Sequence, residues 1–155
     1  MQNLNFPSFD IKTRVLDGQS QVFDPIRKKY VALIPEEWVR QHVIYYLVEE
    51  RKYSINLMAV EHPFTINRVK HRADIVAFDS LGRPILVVEC KAPEVNIDDS
   101  TIHQVTRYNL FLRAPFIIVT NGLVHFCARI DFEKGQTTVL KQIPLFTDII
   151  NNHIE

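Results

Sequence analysis

The clearest pattern of apolar and polar positions lies at residues 72–93, where two apolar, β-branched runs flank a short turn that contains glycine. Such a pattern predicts an antiparallel hairpin. Centring the turn between Leu81 and Gly82 predicts three opposed pairs: Phe78 with Ile85, Val76 with Val87, and Asp74 with Glu89. The second strand is continuously apolar at 85–88, which is typical of a buried central strand.

The predicted register sets the carboxylates of Asp74 and Glu89 against each other, and like charges in that position destabilise a strand pair. Lys91 shares a strand face with Glu89, because side chains alternate with a period of two. Two acids and an ammonium at one point suit Mg²⁺, with Mn²⁺ as an alternative, and phosphodiester hydrolysis. The alternative interpretation is a surface hairpin with ordinary ion pairs, but a charge that ends a buried strand is costly unless it has a partner.

A long helix is predicted from Pro35 to about Arg51, since proline favours the first helical position. Glu36 and Glu37 fall in the first turn, where acids suit the helix dipole. The apolar stripe consists of Val39, Val43, Tyr46 and Leu47. Glu36 is in line with this stripe and is the better candidate to face the interior, although spacing alone leaves both glutamates as dipole partners.

The segments around the hairpin predict the rest of a mixed sheet. Residues 55–66 indicate an edge strand interrupted at Pro63, with Glu61 as a further acid near the cluster. After a crossover helix, the apolar run 116–120 should pair parallel to the strand of Glu89. The predicted order is α-β-β-β-α-β.

The crossover helix is expected at about 101–112, capped by Asp99 or Ser100. It places Gln104 and Tyr108 four residues apart on one face. On spacing alone, this pair is ordinary helix surface.

Several of these residues resemble a known family. Asp74 followed by Glu89-Cys90-Lys91 at the end of an apolar strand resembles the PD-(D/E)xK nuclease core, and the form Glu-Cys-Lys-Ala-Pro is typical of the N-terminal nuclease domain of type I restriction enzyme R subunits. Further similar motifs, in the family's order, are Pro35-Glu36-Glu37-Trp38-Val39-Arg40-Gln41, Arg72-Ala73-Asp74-Ile75, Gln104-Val105-Thr106-Arg107-Tyr108 and Thr120-Asn121-Gly122. Ala73 stands where the superfamily motif has proline.

The resemblance implies an α/β, restriction-endonuclease-like fold and a function for each motif residue. It implies catalytic roles for Asp74, Glu89, Lys91, Gln104, Tyr108 and one of the pair Glu36 and Glu37. It implies metal ligation by Asp74, Glu89 and the Cys90 backbone carbonyl, and it places Gln104 and Tyr108 near the metal and the DNA backbone.

Composition limits the alternatives. Eighteen basic and eighteen acidic residues give a net charge of zero, which argues against a tight, non-specific nucleic-acid binder. A local basic cluster is nevertheless formed by Arg68, Lys70 and Arg72, which is either a phosphate-binding surface or a solvated turn. The two cysteines form no zinc pattern, and Cys90 is expected to be a packed core thiol.

The chain length predicts one domain over residues 1–155. It divides into an accessory β-hairpin segment turning at Asp17-Gly18 (1–33), the nuclease-like core (34–123), and C-terminal strands with a short helix (124–155). No apolar run predicts a membrane span or a signal peptide, so a cytoplasmic location is expected.

Three functions are consistent with these patterns. The first is a metal-dependent DNA nuclease, and the second is a non-cleaving nucleic-acid-binding or complex-assembly module that retains the nuclease fold. The third is a fold relative that acts on another substrate. Because the chain contains no Walker motif, a helicase or modification subunit is a plausible partner, as is independent action on DNA.

Overall fold

The computed structural model describes residues 1–152, which form two β-sheets and three α-helices within this range. The strands are β1 (Thr13–Leu16), β2 (Gln19–Asp24), β3 (Lys29–Ala32), β4 (Met58–Ile66), β5 (Val69–Phe78), β6 (Pro84–Cys90), β7 (Phe116–Thr120), β8 (His125–Asp131) and β9 (Gln136–Leu140). The helices are α1 (Pro35–Tyr45), α2 (Asp99–Leu112) and α3 (Phe146–Asn152).

The larger sheet has six strands in the order β4-β5-β6-β7-β8-β9. Strands β6 and β7 are parallel, with Glu89 beside Val119, and the other neighbours are antiparallel. Helix α2 makes the crossover that a parallel pair requires. The predicted mixed sheet and the α-β-β-β-α-β order are therefore confirmed.

Helices cover both faces of this sheet. On one face, Val39 and Val43 of α1 pack in a cluster with Ile75 and Val88 of the sheet. On the other face, Val105 of α2 packs in a second cluster, with Val76, Val87 and Ile117. Burying each such aliphatic side chain contributes about 1.5–3 kcal/mol, so the central strands are held from both sides.

The N-terminal segment forms a three-stranded sheet, so the predicted hairpin is correct but incomplete. Asp17 and Gly18 make the β1–β2 turn with positive φ angles of 50° and 75°. The chain then turns at Asp24, whose carboxylate accepts the backbone N–H groups of Ile26 and Arg27 at 2.8 Å. This turn returns the chain as β3, a four-residue strand too short to give a period-two pattern.

The central hairpin has the predicted register in its interior, where Val76 pairs with Val87. Phe78, however, pairs with Pro84 and not with Ile85, after a register shift at Ala77 and Phe78. The cause is the turn, in which the Asp79 carboxylate accepts the backbone N–H groups of Leu81 and Arg83 and forms a longer loop than the pattern predicts.

The predicted helices differ from the observed ones mainly at their ends. Helix α1 continues into a π-helical turn at Tyr46–Glu50, which accounts for the expected end near Arg51. Helix α2 is capped by Asp98, not by Asp99 or Ser100, because the Asp98 carboxylate accepts the Thr101 N–H at 3.0 Å. The predicted C-terminal helix begins at Phe146, and its expected last residues, 153–155, lie outside the described range. None of the described helices is long and apolar enough to cross a membrane.

Candidate active site at the end of the central strands

Asp74 lies immediately beyond the last pair of the β5–β6 ladder, which is Ile75 with Val88. The observed register sets Asp74 opposite Glu89, as predicted, and the two carboxyl groups are in contact, although the ladder itself ends one residue before them. One Asp74 carboxylate oxygen, Oδ2, accepts the Cys90 backbone N–H at 2.7 Å. The other, Oδ1, accepts Nη2 of Arg40 at 2.9 Å, so protein donors fix both oxygens.

Glu89 and Lys91 lie together at the end of β6. The Lys91 Nζ to Glu89 Oε1 distance is 3.2 Å, which confirms the predicted proximity. Lys91 also donates its backbone N–H to the Thr120 carbonyl at 2.8 Å, so the lysine is fixed to the end of β7. Between them, Cys90 is 1% exposed and packs in the core, as predicted.

The two acids influence each other electrostatically. Burial, and then the nearby Asp74 carboxylate, raise the pKa of Glu89 to about 8, although Lys91 opposes the shift. Burial alone would lower the pKa of Lys91, but the Glu89 carboxylate raises it, so Lys91 is a cation at neutral pH. In the metal-free site, the raised pKa favours the protonated form of Glu89 at neutral pH, even with the Lys91 ammonium beside it.

The first turn of α1 contributes both predicted glutamates, but their burial is the reverse of the predicted one. Glu37 is the buried side chain, at 8% exposure, whereas Glu36 is 42% exposed. The expectation that Glu36 faces the interior is therefore wrong, because Glu37 is drawn inward by the buried Arg40 and by the half-buried Arg27. Glu36 nevertheless lies within the field of the site, since burial and the Asp74 carboxylate both raise its pKa.

Arg40 is the central residue that the sequence did not single out as part of a site. It is buried on α1, and its Nη1 donates to Glu37 Oε2 at 2.8 Å while Nη2 donates to Asp74. Its spacing of three and four residues from Glu37 and Glu36 is the signal that was available, since such residues share a helix face.

A second buried group extends this network toward the N-terminal sheet. Arg27 donates to the carboxylates of both Asp24 and Glu37. Gln41 reaches the same two acids, at 2.9 Å and 3.1 Å. The chain of contacts from Asp24 to Asp74 thus runs through Arg27, Glu37 and Arg40.

Glu61 is a further acid beside this network, as predicted. It interrupts the β4–β5 ladder with a positive φ of 53°, and its carboxylate lies 3.5 Å from Arg72 and 3.7 Å from Arg40. A cleft of about 290 Å³ opens here. Its lining consists of Ile34, Glu36, Glu37, Arg40, Glu61, Arg72 and Asp74.

The predicted basic cluster lies on a two-stranded arm next to the cleft. Residues 69–73 of β5 pair with β4 but extend beyond the β5–β6 ladder. Arg68 lies in the turn at the tip of this arm, and Lys70 and Arg72 are exposed along β5, two residues apart on one face. We call this two-stranded segment, residues 62–73, with its exposed Arg68, Lys70 and Arg72, the basic arm.

Gln104 and Tyr108 lie at the base of the same arm. Gln104 Nε2 donates to the Tyr108 hydroxyl at 2.8 Å, and the Tyr108 ring packs against Phe64 and His71 of the arm with centroid distances of 5.5 and 5.0 Å. Among the described residues, neither side chain hydrogen-bonds to Asp74, Glu89 or Lys91. The structure thus joins this pair to the arm and leaves its implied catalytic role a prediction.

The donors present fit a hard divalent cation only in part. Within residues 1–152, no three His, Cys, Asp or Glu side chains are arranged as a ligand set. Mg²⁺ is, however, commonly held by one or two carboxylates, with water in the remaining positions. Asp74 and Glu89 with the Cys90 carbonyl meet that requirement by their chemistry.

Comparison with known proteins shows the family of this chain. A family model described as the type I restriction enzyme R protein N terminus matches residues 35–144. This chain belongs to that family. The matched range includes every motif residue of the site, from Glu36 to Tyr108, and the predicted resemblance to the N-terminal domain of type I restriction enzyme R subunits is confirmed.

A solved structure is similar to this family member in fold. The fragment structure of a putative HsdR subunit of a type I restriction enzyme from Vibrio vulnificus YJ016 matches with a TM-score of 0.60 and 22% sequence identity. The match covers 78% of this chain and 25% of that one, so this chain corresponds to about a quarter of the length of its relative. No curated protein matches the chain.

The raised pKa of Glu89 gives a prediction for this family member without metal. Folding favours protonated Glu89, so its contribution to stability is complete below pH 4.5 and is lost as the pH rises toward 8. The side chain of Glu89→Gln stays neutral at every pH, so this variant should lose no stability from ionisation at position 89. Melting temperatures of parent and variant in a chelator should therefore diverge in the variant's favour between these pH values, while Glu94→Gln, in an exposed loop, should follow the parent. If the melting temperatures of Glu89→Gln and of the parent changed in parallel across this pH range, the raised pKa of Glu89 would be contradicted.

Proposed function

We propose that this chain is a metal-dependent DNA nuclease domain that hydrolyses phosphodiester bonds. The observation that carries the proposal is the convergence of Asp74, Glu89 and Lys91 where the β5–β6 ladder ends, beside an exposed basic arm. A purely structural ion pair needs neither the second acid nor the raised pKa of Glu89.

The charges of the network support a divalent cation. The ion-pair network and the adjoining Glu89–Lys91 pair together contain four cations and six acids. They are Arg27, Arg40, Arg72 and Lys91 against Asp24, Glu36, Glu37, Glu61, Asp74 and Glu89. With every group ionised, the cluster carries two excess negative charges, which one Mg²⁺ or Mn²⁺ would neutralise. Without metal, the proton held by Glu89 relieves part of this excess.

The residues of the site would then have different roles in the reaction. Asp74, Glu89 and the Cys90 carbonyl would hold Mg²⁺, which when bound supplies a Lewis acid for the phosphoryl oxygens and promotes ionisation of water. Lys91, held 3.2 Å from Glu89, would place its ammonium beside the scissile phosphate, where negative charge builds up. Glu36, the exposed glutamate of α1, would accept protons at the rim of the site.

The basic arm supplies a surface for the DNA backbone. Arg68 and Lys70 are exposed, and Arg72 connects the arm to the cleft through Glu61. Tyr108 and Gln104 pack at the base of the arm and would fix its orientation over the substrate. Since the relative is described as an HsdR subunit and is about four times longer than the matched region, we propose that this domain acts with a motor or modification subunit.

A cleavage assay tests the proposal directly. Purified protein is incubated with supercoiled, linear and single-stranded DNA in Mg²⁺ or Mn²⁺, with a chelator control. Cutting that requires the metal is expected, and it should disappear in the chelator. Metal-independent cutting, or binding of DNA with no cleavage of any substrate, would instead favour the non-cleaving module.

The arm gives a prediction for DNA binding. Lys70→Ala should weaken binding to every DNA sequence equally and should reduce the slope of log affinity against log salt by about one, because each phosphate contact releases counterions. Lys134→Ala is the matched control, since the β8–β9 turn lies at the opposite end of the sheet from Glu89. Equal salt slopes for the parent and Lys70→Ala would remove the arm from the DNA interface.

A further inference from the structure

We infer that Arg40 is a positioning residue that fixes the Asp74 carboxylate, and that the N-terminal sheet fixes Arg40 in turn through Arg27 and Glu37. The value of this arrangement to the reaction rests on the proposed function. The positioning itself is a property of the metal-free fold and is tested separately.

Asp74 needs such a device because regular strand pairing does not fix it. The β5–β6 ladder ends at Ile75, and on the other side the β4–β5 pairs resume at Ala73, so Asp74 belongs to neither ladder. Glu61 lies opposite Asp74 in the β4 register and has a positive φ, which interrupts the pairing there. The side chain of Asp74 is thus held by the Cys90 N–H and by Arg40, and it also contacts the Glu89 carboxyl group.

Arg40 suits this role because its planar guanidinium bridges two acids at once. Nη2 contacts Asp74 at 2.9 Å and Nη1 contacts Glu37 at 2.8 Å. The side chain is 6% exposed, so water competes little for these donors. A lysine at this position would offer one compact charge in place of the fork and would satisfy the two acids less well.

Glu37 is held from its other side by the N-terminal sheet. Arg27 donates to Glu37 Oε1 and, through Nε, to Asp24 Oδ2 at 2.8 Å. Asp24 is the last residue of β2 and is completely buried. The accessory sheet therefore reaches the site through an unbroken series of charge-assisted hydrogen bonds, which are about twice as strong as neutral ones.

The test measures hydrogen exchange of the Cys90 amide in metal-free protein, because that N–H donates to Asp74 Oδ2. In Arg40→Gln, its exchange should accelerate about tenfold or more, while the amides of Val87 and Val88 in the same strand change little. Arg40→Lys should show a partial effect. Arg27→Gln should accelerate the Cys90 amide in the same selective way, which extends the inference to the N-terminal sheet.

Arg14→Gln is the matched control, since Arg14 lies in the same N-terminal sheet and bonds to Gln21 at the surface. It should leave the exchange of Cys90 unchanged. An unchanged Cys90 amide in both Arg40→Gln and Arg27→Gln, or equal acceleration of all strand amides, would overturn the inference. If Arg40→Gln does not fold, Arg40→Lys and Arg27→Gln decide the outcome.

Calorimetric titration with Mn²⁺ separates this inference from the proposed function. If the parent binds Mn²⁺, Arg27→Gln should bind it severalfold more weakly, and equal affinity would refute the link from the sheet to the site. A parent that binds no Mn²⁺ would refute the proposed metal site, whereas the Cys90 exchange would still decide whether Arg40 positions Asp74.

Discussion

Lys91→Ala is expected to lose about a hundred- to a thousandfold in cleavage rate while it retains metal binding. The ammonium lies 3.2 Å from Glu89, but it carries no lone pair while protonated and so is not a metal ligand. Its contribution should appear in the transition state, where a deleted charge or donor typically costs about 2.7–4 kcal/mol. The loss should therefore appear in turnover and not in substrate affinity.

The measurement compares the cleavage rate per folded molecule with the melting temperature and the Mn²⁺ affinity. Lys134→Ala, at the opposite end of the sheet, is the matched control and should cleave like the parent. If Lys91 is only the ion-pair partner of Glu89, the variant will melt earlier and its folded fraction will cleave normally. A destabilised but fully active protein would thus defeat the catalytic assignment.

Asp74→Asn is expected to abolish measurable metal binding and to reduce cleavage by about a hundredfold or more. The substitution keeps the shape of the side chain but removes one of the two carboxylates proposed to hold Mg²⁺. The bound cation is expected to stabilise charge in the transition state by several kcal/mol. It also removes a charge that raises the pKa of Glu89. In metal-free protein, the pKa of Glu89 should therefore fall toward its ordinary value.

Two readouts test this second prediction. Calorimetry with Mg²⁺ and Mn²⁺ reports the loss of the ligand, and carboxyl NMR titration of metal-free protein reports the pKa of Glu89. Asp99→Asn, which changes an exposed aspartate in the first turn of α2, should leave both unchanged. Undiminished metal affinity in Asp74→Asn would show that the cation, if any, binds elsewhere.

The amino-acid sequence by itself determined the elements that carry the motif. The β-branched runs on both sides of residues 79–83 gave the correct pairing of Val76 with Val87, because the turn between them fixes which residues lie opposite each other and the period of two fixes the face of each side chain. The same period placed Lys91 beside Glu89 and Cys90 in the core. These features depend on local spacing, which the sequence contains in full.

The tertiary structure alone decided how the acids are held. Glu37 and not Glu36 turns inward, because Arg27, 10 residues earlier in the chain, meets it from the turn between β2 and β3. Arg40 reaches Asp74 across 34 positions of sequence. No periodicity in α1 encodes either contact, because the partners come together only when the sheets and α1 pack.

The position of the basic arm was also decided by the tertiary structure. The sequence showed three cationic residues at 68, 70 and 72, but it did not show that β6 ends before it can pair with this part of β5. Because this part of β5 pairs with β4 but not with β6, the cluster forms a projecting surface beside the cleft. Strand lengths in a sheet are set by where each neighbour ends, and those ends depend on the packing of distant segments.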